Sequence, residues 1–149
     1  MIRFSVDKDL QIIFAEGTDR ERENFLLNGL EEYAKKFIDI DTFERNDWNF
    51  FVYAGDKLIG GAHGRELKDN WLYVELFYVD EKYRGNDLGT ALMQKIEGLA
   101  KDKKCIGIYL DTLSFEARGF YEKVGFVVHG ELKDYPTVGF SKYFLHKRL

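Results

Sequence analysis

The sequence has little that would staple, anchor or break a chain. A single cysteine, Cys105, rules out an internal disulfide, and with only three histidines a structural zinc site is not expected. One proline, Pro136, leaves long uninterrupted stretches free to form helices and strands. No apolar run approaches 18 residues, so no spanning helix is expected. The opening MIRFSVDKDL places charges where a signal peptide needs an apolar stretch, so a cytoplasmic protein is expected. Basic excess is also missing. The formal net charge of −4 argues against a nucleic-acid partner, which favours a basic face.

Hydrophobic residues make up 45% and charged residues 32% of 149 positions, the composition of one globular domain over residues 1–149. Aromatics are abundant, with 13 Phe, 9 Tyr and 2 Trp. They suit a large core, and they equally suit a ring-lined pocket for an apolar or cationic ligand.

Ile2 to Val6 and Leu10 to Ala15 read as strands. Thr18 and Glu21 have the spacing of a capping box, and Leu26, Leu30, Tyr33, Ala34 and Phe37 follow at helical spacing. Gly29 would divide that helix. Phe50 to Ala54, the turn Gly55-Asp56 and Lys57 to His63 read as a hairpin. Trp71 to Val79 reads as a strand with Trp71, Tyr73, Glu75, Phe77 and Val79 on one face. A helix with Leu88, Ala91, Leu92, Ile96 and Leu99 on its buried stripe follows, then a strand from Cys105 to Leu110. Cys105 is expected in the core. Ser114 can cap a helix carrying Ala117, Phe120, Tyr121 and Val124, which Gly125 would end in a left-handed turn. Phe126 to Gly130 and Phe140 to His146 close the chain as strands. The helix between Trp71 to Val79 and Cys105 to Leu110 is a crossover, so those two strands should be parallel within a mixed α/β sheet.

The stretch Val79-Asp80-Glu81-Lys82-Tyr83-Arg84-Gly85-Asn86-Asp87-Leu88-Gly89-Thr90 lies between a strand end and a helix start. Amides there lack partners within the helix and face outward, and the helix dipole adds positive potential, which makes a seat for phosphate. Gly85 and Gly89 let backbone approach a ligand closely, and Arg84 adds charge. On its own such a segment is equally an ordinary turn.

Combined with Phe120-Tyr121-Glu122-Lys123-Val124-Gly125-Phe126, the stretch resembles the signature of the GNAT superfamily of acyl-CoA-dependent N-acyltransferases, small stand-alone bacterial type. That signature reads Arg/Gln-x-x-Gly-x-Gly/Ala after a strand, with a later helix ending Tyr-Glu-Lys-x-Gly-Phe. Arg84, Gly85 and Gly89 match, whereas Asp87 stands where the family has its central glycine. Asp tolerates a left-handed backbone, but its carboxylate can cap the helix and compete with a phosphate for the same amides.

The resemblance implies a mixed, mostly antiparallel sheet of about seven strands, with helices on both faces and a splayed, V-shaped cleft. It implies acetyl transfer from acetyl-CoA to a primary amine, with no metal, by direct transfer in a ternary complex. Phe77, Tyr78 and Val79 would bond the pantetheine arm; Arg84, Gly85, Asn86, Asp87, Leu88, Gly89 and Thr90 would hold the pyrophosphate; Ser114 would add a weaker contact. Tyr121 matches the family's general acid, a phenol that protonates the departing thiolate. For the base, Glu75, His63 and water stay open. Asp111 would attract a cationic acceptor or cap its loop. His129 and His146 read as structural. Phe25, Tyr33, Trp48, Trp71, Tyr73 and the loop Lys133-Asp134-Tyr135-Pro136-Thr137 are candidates for the acceptor site. A small-molecule amine is the expected acceptor, and a homodimer is compatible with the family. A protein or peptide acceptor, or a non-catalytic acyl-CoA-binding regulator, stays open.

Overall fold

In a computed structural model, residues 13–39, 45–67 and 70–149 are described, and the chain divides into two compact units, Met1–Ile38 and Asp39–Leu149. The strand expected at Ile2 to Val6 lies outside the described residues, as does the start of the one at Leu10 to Ala15, whose described part, 13–15, is not in a strand.

The described part of the first unit is built on helix α1, Arg20–Ala34. Its cap is Asp19 and not Thr18: the Asp19 carboxylate accepts from the amides of Glu21 at 2.9 Å and Arg22 at 3.1 Å. An Asp oxygen satisfies two of the four free amides at once, so the cap moves one residue along the chain. Gly29 does not divide the helix. One interior glycine costs only about 1 kcal/mol relative to alanine, which is too little to force a break.

The second unit is a six-stranded sheet in the order β1-β2-β3-β4-β6-β5. Its strands are β1 Arg45–Ala54, β2 Lys57–Leu67, β3 Trp71–Val79, β4 Gly107–Leu113, β5 Val127–Lys133 and β6 Ser141–Arg148. Among these strands only β3 and β4 pair in parallel, as the crossover requires. The mixed, mostly antiparallel fold that the resemblance implies is the one observed, with six strands among the described residues where about seven were expected. Gly55 supplies the positive φ of 59° at the β1–β2 turn.

The crossover is helix α2, Leu88–Asp102, which buries Leu92, Met93, Ile96 and Ala100. These close the core with Leu72 and Val74 of β3, Ile108 and Leu110 of β4, and Leu145 of β6. Each buried Leu, Ile or Met contributes about 1.5–3 kcal/mol. The stripe is rotated from the expected one: Ala91 is exposed, while Met93 and Ala100 are buried. Cys105 is buried in the same core.

The single face expected for β3 is also corrected. Leu72 and Val74 are buried, then the parity reverses and Val79 is buried. The register explains it: His63 faces Leu76 while Gly64 faces Val74, so Glu75 is an extra residue in the strand. A bulge of this kind flips every later side chain to the other face.

Helix α3, Arg118–Lys123, starts later than expected, and Ser114 does not cap it. Glu116 folds back instead, accepting from the Leu113 amide and the Thr112 hydroxyl, both at 2.8 Å. The Ser114 hydroxyl accepts from the Ser141 amide at 3.1 Å, tying the end of β4 to β6.

Candidate functional site

The parallel pairing of β3 with β4 ends early. It runs from Trp71 and Gly107 to Val74 and Leu110, and the rest of each strand has no partner in the other. Past the bulge β3 stays with β2, while β4 stays with β6 through Leu113. The sheet therefore splits, and a cleft of about 930 Å³ opens between the two halves. Its size suits a bound small molecule.

The start of α2 forms one wall. Gly85 has φ 77° and Asp87 has φ 58°, both left-handed, so the chain turns sharply into the helix. The Asp87 side chain makes no capping bond. The competition foreseen between its carboxylate and a phosphate for the first amides is thus not made within the chain. Gly89 has a packing role, since a Cβ there would stand 3.3 Å from the Phe120 ring. Arg84 is partly committed: its Nε donates to the Val79 carbonyl at 2.8 Å and holds the end of β3. Asn86 Nδ2 faces the carbonyls of Tyr83 and Arg84, both at 3.3 Å, inside the turn.

The other wall is α3. Gly125, at φ 98°, ends it, with Gly125 N–H donating to the Glu122 carbonyl at 3.1 Å and Phe126 N–H to the Tyr121 carbonyl at 2.9 Å. This is a Schellman motif, and the Tyr121 and Phe126 rings supply its hydrophobic contact, with centroids 5.8 Å apart. The Tyr-Glu-Lys-x-Gly-Phe pattern is thus a device that locks Tyr121. Its ring is buried against Phe77 and Phe120 at 5.9 and 5.3 Å. Burial, then the nearby Glu116 and Asp111 carboxylates, hold its phenol well above the usual range, so it carries its proton.

Across the cleft, Glu75 Oε2 takes Arg65 Nη2 at 2.7 Å and faces His63 Nε2 at 3.7 Å. His63 Nδ1 meets two acceptors, the Trp48 carbonyl at 3.2 Å and Asn49 Oδ1 at 3.0 Å. The proton is therefore assigned to Nδ1, which leaves Nε2 facing the Glu75 carboxylate. Asp111, just beyond the last β3–β4 pair, accepts from the Tyr73 hydroxyl at 3.1 Å and from Lys142 Nζ at 2.8 Å. Burial and this carboxylate push the Tyr73 phenol up to about 12.

Among the expected site residues, Glu75, Phe77, Tyr78, Val79, Arg84, Gly85, Asp87, Leu88, Gly89, Thr90 and Tyr121 all line the cleft. Asn86 and Ser114 do not. Trp48, a candidate for the acceptor site, is instead a core residue packed over Gly64. Trp71 and Tyr73 each pack their rings against Tyr109 on the opposite sheet face from α2. His129 and His146 meet at 2.9 Å between their Nδ1 atoms. Sequence reasoning missed Glu116 and Arg65. The Glu116 signal was its position three residues after the Leu113 amide it caps; Arg65 left none, since its role depends on strand register.

The sequence model of the GNAT acetyltransferase family matches residues 15–126. The chain belongs to that family. It is thus an acetyltransferase, an enzyme of the acyltransferase class. This GNAT chain is 37% identical over 94 residues to a blasticidin-S acetyltransferase of Streptomyces morookaense, covering 62% of this chain and 68% of that one. A Bacillus cereus acetyltransferase structure superposes with a TM-score of 0.82 at 30% identity, covering 92% of this chain and 98% of that one. A Bacillus anthracis acetyltransferase assigned to streptothricin, solved in complex with acetyl coenzyme A, superposes with a TM-score of 0.62 at 25% identity, over 70% of this chain and 63% of that one.

Proposed function

We propose that this GNAT enzyme moves an acetyl group from acetyl-CoA to a primary amine of a small molecule, directly, within a ternary complex. Tyr121 carries the reading: a buried phenol that keeps its proton, locked on the wall of a split sheet. The amine nitrogen attacks the thioester carbonyl carbon, the carbon–sulfur bond breaks, and the leaving thiolate takes the Tyr121 proton. A thiol has a pKa of about 8.5 against about 10 for a free phenol, so full proton transfer to the sulfur is uphill, and the phenol acts first by donating a hydrogen bond to the sulfur as its negative charge builds.

In this reading the free amides from Leu88 to Thr90, at the left-handed entry of α2, seat the pyrophosphate. The edge of β3 from Phe77 to Val79, left without a β4 partner, bonds the pantetheine arm. Asn86 and Ser114 do not line the cleft and carry no part of this reading. Glu75 is the base, since it lines the cleft and has His63 beside it to pass a proton on. Relatives named for small-molecule acceptors support the acceptor class.

Calorimetric titration with acetyl-CoA, alongside a thiol assay of CoA release with a panel of amines, tests the reading. Micromolar binding with amine-dependent release is expected. No binding of acetyl-CoA would overturn it.

A further inference from the structure

Lys142 occupies a seat built for a primary ammonium. Its Nζ lies 2.8 Å from Asp111 Oδ1 and stands over two aromatic rings, Tyr135 at 5.4 Å and Phe144 at 5.6 Å from the centroids. The second Asp111 oxygen accepts the Tyr73 hydroxyl, so the carboxylate is held rigidly from two sides. A carboxylate with two ring faces is the combination that recognises alkylammonium groups. Asp111 also lines the cleft that contains Tyr121, at the point where the sheet divides.

The occupant is exchangeable. Lys142 and Asp111 side chains are 24% and 28% exposed, and a lysine stem can swing into solvent without disturbing the strand. Replacing one cation by another keeps the Asp111 charge compensated, whereas an uncharged group would leave it partly buried and unpaired. Lys142 is not itself an acceptor amine, because its bond to Asp111 favours the protonated, non-nucleophilic form.

We propose that Asp111, Tyr135 and Phe144 bind a second, non-reacting ammonium group of the acceptor, and that Lys142 fills this seat in the free enzyme. The inference rests on the acetyl-transfer reading above and narrows its acceptor class to diamines and polyamines. One amino group stays charged on Asp111, while the other loses its proton and reaches the thioester. A monoamine can do only one of these.

The test is calorimetric titration of 1,4-diaminobutane and of n-butylamine into the full-length protein, with and without CoA. The wild type should bind the diamine more tightly. Lys142→Met should widen the diamine-to-monoamine affinity ratio by about fivefold, because the competing cation is gone. Lys142→Arg, which keeps a cation and guards against a folding artefact, should not widen it. Asp111→Asn should bring the ratio close to one. Equal affinity for the two amines in the wild type would overturn the proposal, as would a ratio that Lys142→Met leaves unchanged. CoA release is measured separately. Its absence with every amine would count against acetyl transfer, while the binding ratios would still decide whether the seat exists.

Discussion

Arg65 Nη2 stands 2.7 Å from Glu75 Oε2, and the pair sits where β2 and β3 slip register by one residue. Arg65 pairs across the ladder with Tyr73, so its contact keeps Glu75 on the Tyr73 face, and it is the residues after the bulge that turn over. There the carboxylate lines the cleft while the guanidinium fixes its direction.

Glu75→Gln should therefore lower kcat/KM about 100-fold, with acetyl-CoA affinity little changed, if this carboxylate is the base. Steady-state kinetics beside acetyl-CoA titration checks it, and an unchanged kcat/KM would transfer the role to His63 or to water. The stability cost should be small, about 0–1 kcal/mol, because the pair is solvent-accessible.

Tyr121→Phe should reduce kcat by about 100-fold or more and leave the dissociation constant of acetyl-CoA within about twofold. Because burial raises the Tyr121 phenol, its acid form persists to higher pH than a free tyrosine's. The alkaline fall in kcat should accordingly begin above about pH 10. Equal losses in kcat and in binding would reduce Tyr121 to a packing residue.

Asp87→Gly should stabilise the protein by about 0.5–1 kcal/mol, since a non-glycine residue is held at φ 58° there. It also removes a carboxylate from the mouth of the amide seat, so acetyl-CoA should bind more tightly. Thermal melting and calorimetry read the two effects independently. Weaker binding in the variant would show that the Asp87 side chain is itself part of the seat.

Gly64→Ala should destabilise by about 2–4 kcal/mol. An added Cβ would collide with the Tyr73 carbonyl and stand 2.5 Å from the Trp48 ring. Both are pinned, one by the strand ladder and the other by the core, so neither can yield cheaply. Urea denaturation should show a lowered midpoint with an unchanged slope.

Much of the site is legible in the sequence. Gly85 and Gly125 stand at positive φ, and the pattern around Tyr121 closes a local hydrogen-bonded motif, so short-range geometry alone specifies them. The hairpin turn at Gly55 belongs to the same class. Sequence patterns mislead where two local solutions compete. Thr18 and Asp19 can both cap α1, and Ser114 and Glu116 can both close the turn before α3; the carboxylate wins in each case, with two donors to satisfy. They mislead again on the stripe of α2, where Met93 and not Ala91 faces the sheet.

By itself, the sequence determined what depends on neighbours along the chain: the left-handed turns, the alternation of strands and helices, and the order that makes β3 and β4 parallel. Only the tertiary structure decided how far those two strands stay paired, where β3 bulges, and which charges meet. Arg65 finds Glu75 and Lys142 finds Asp111 through strand register. Register is set by packing between segments distant in sequence, and a slip of one residue turns each side chain to the other face. No local pattern encodes that choice, which is why the cleft's residues could be named from the sequence but their partners could not.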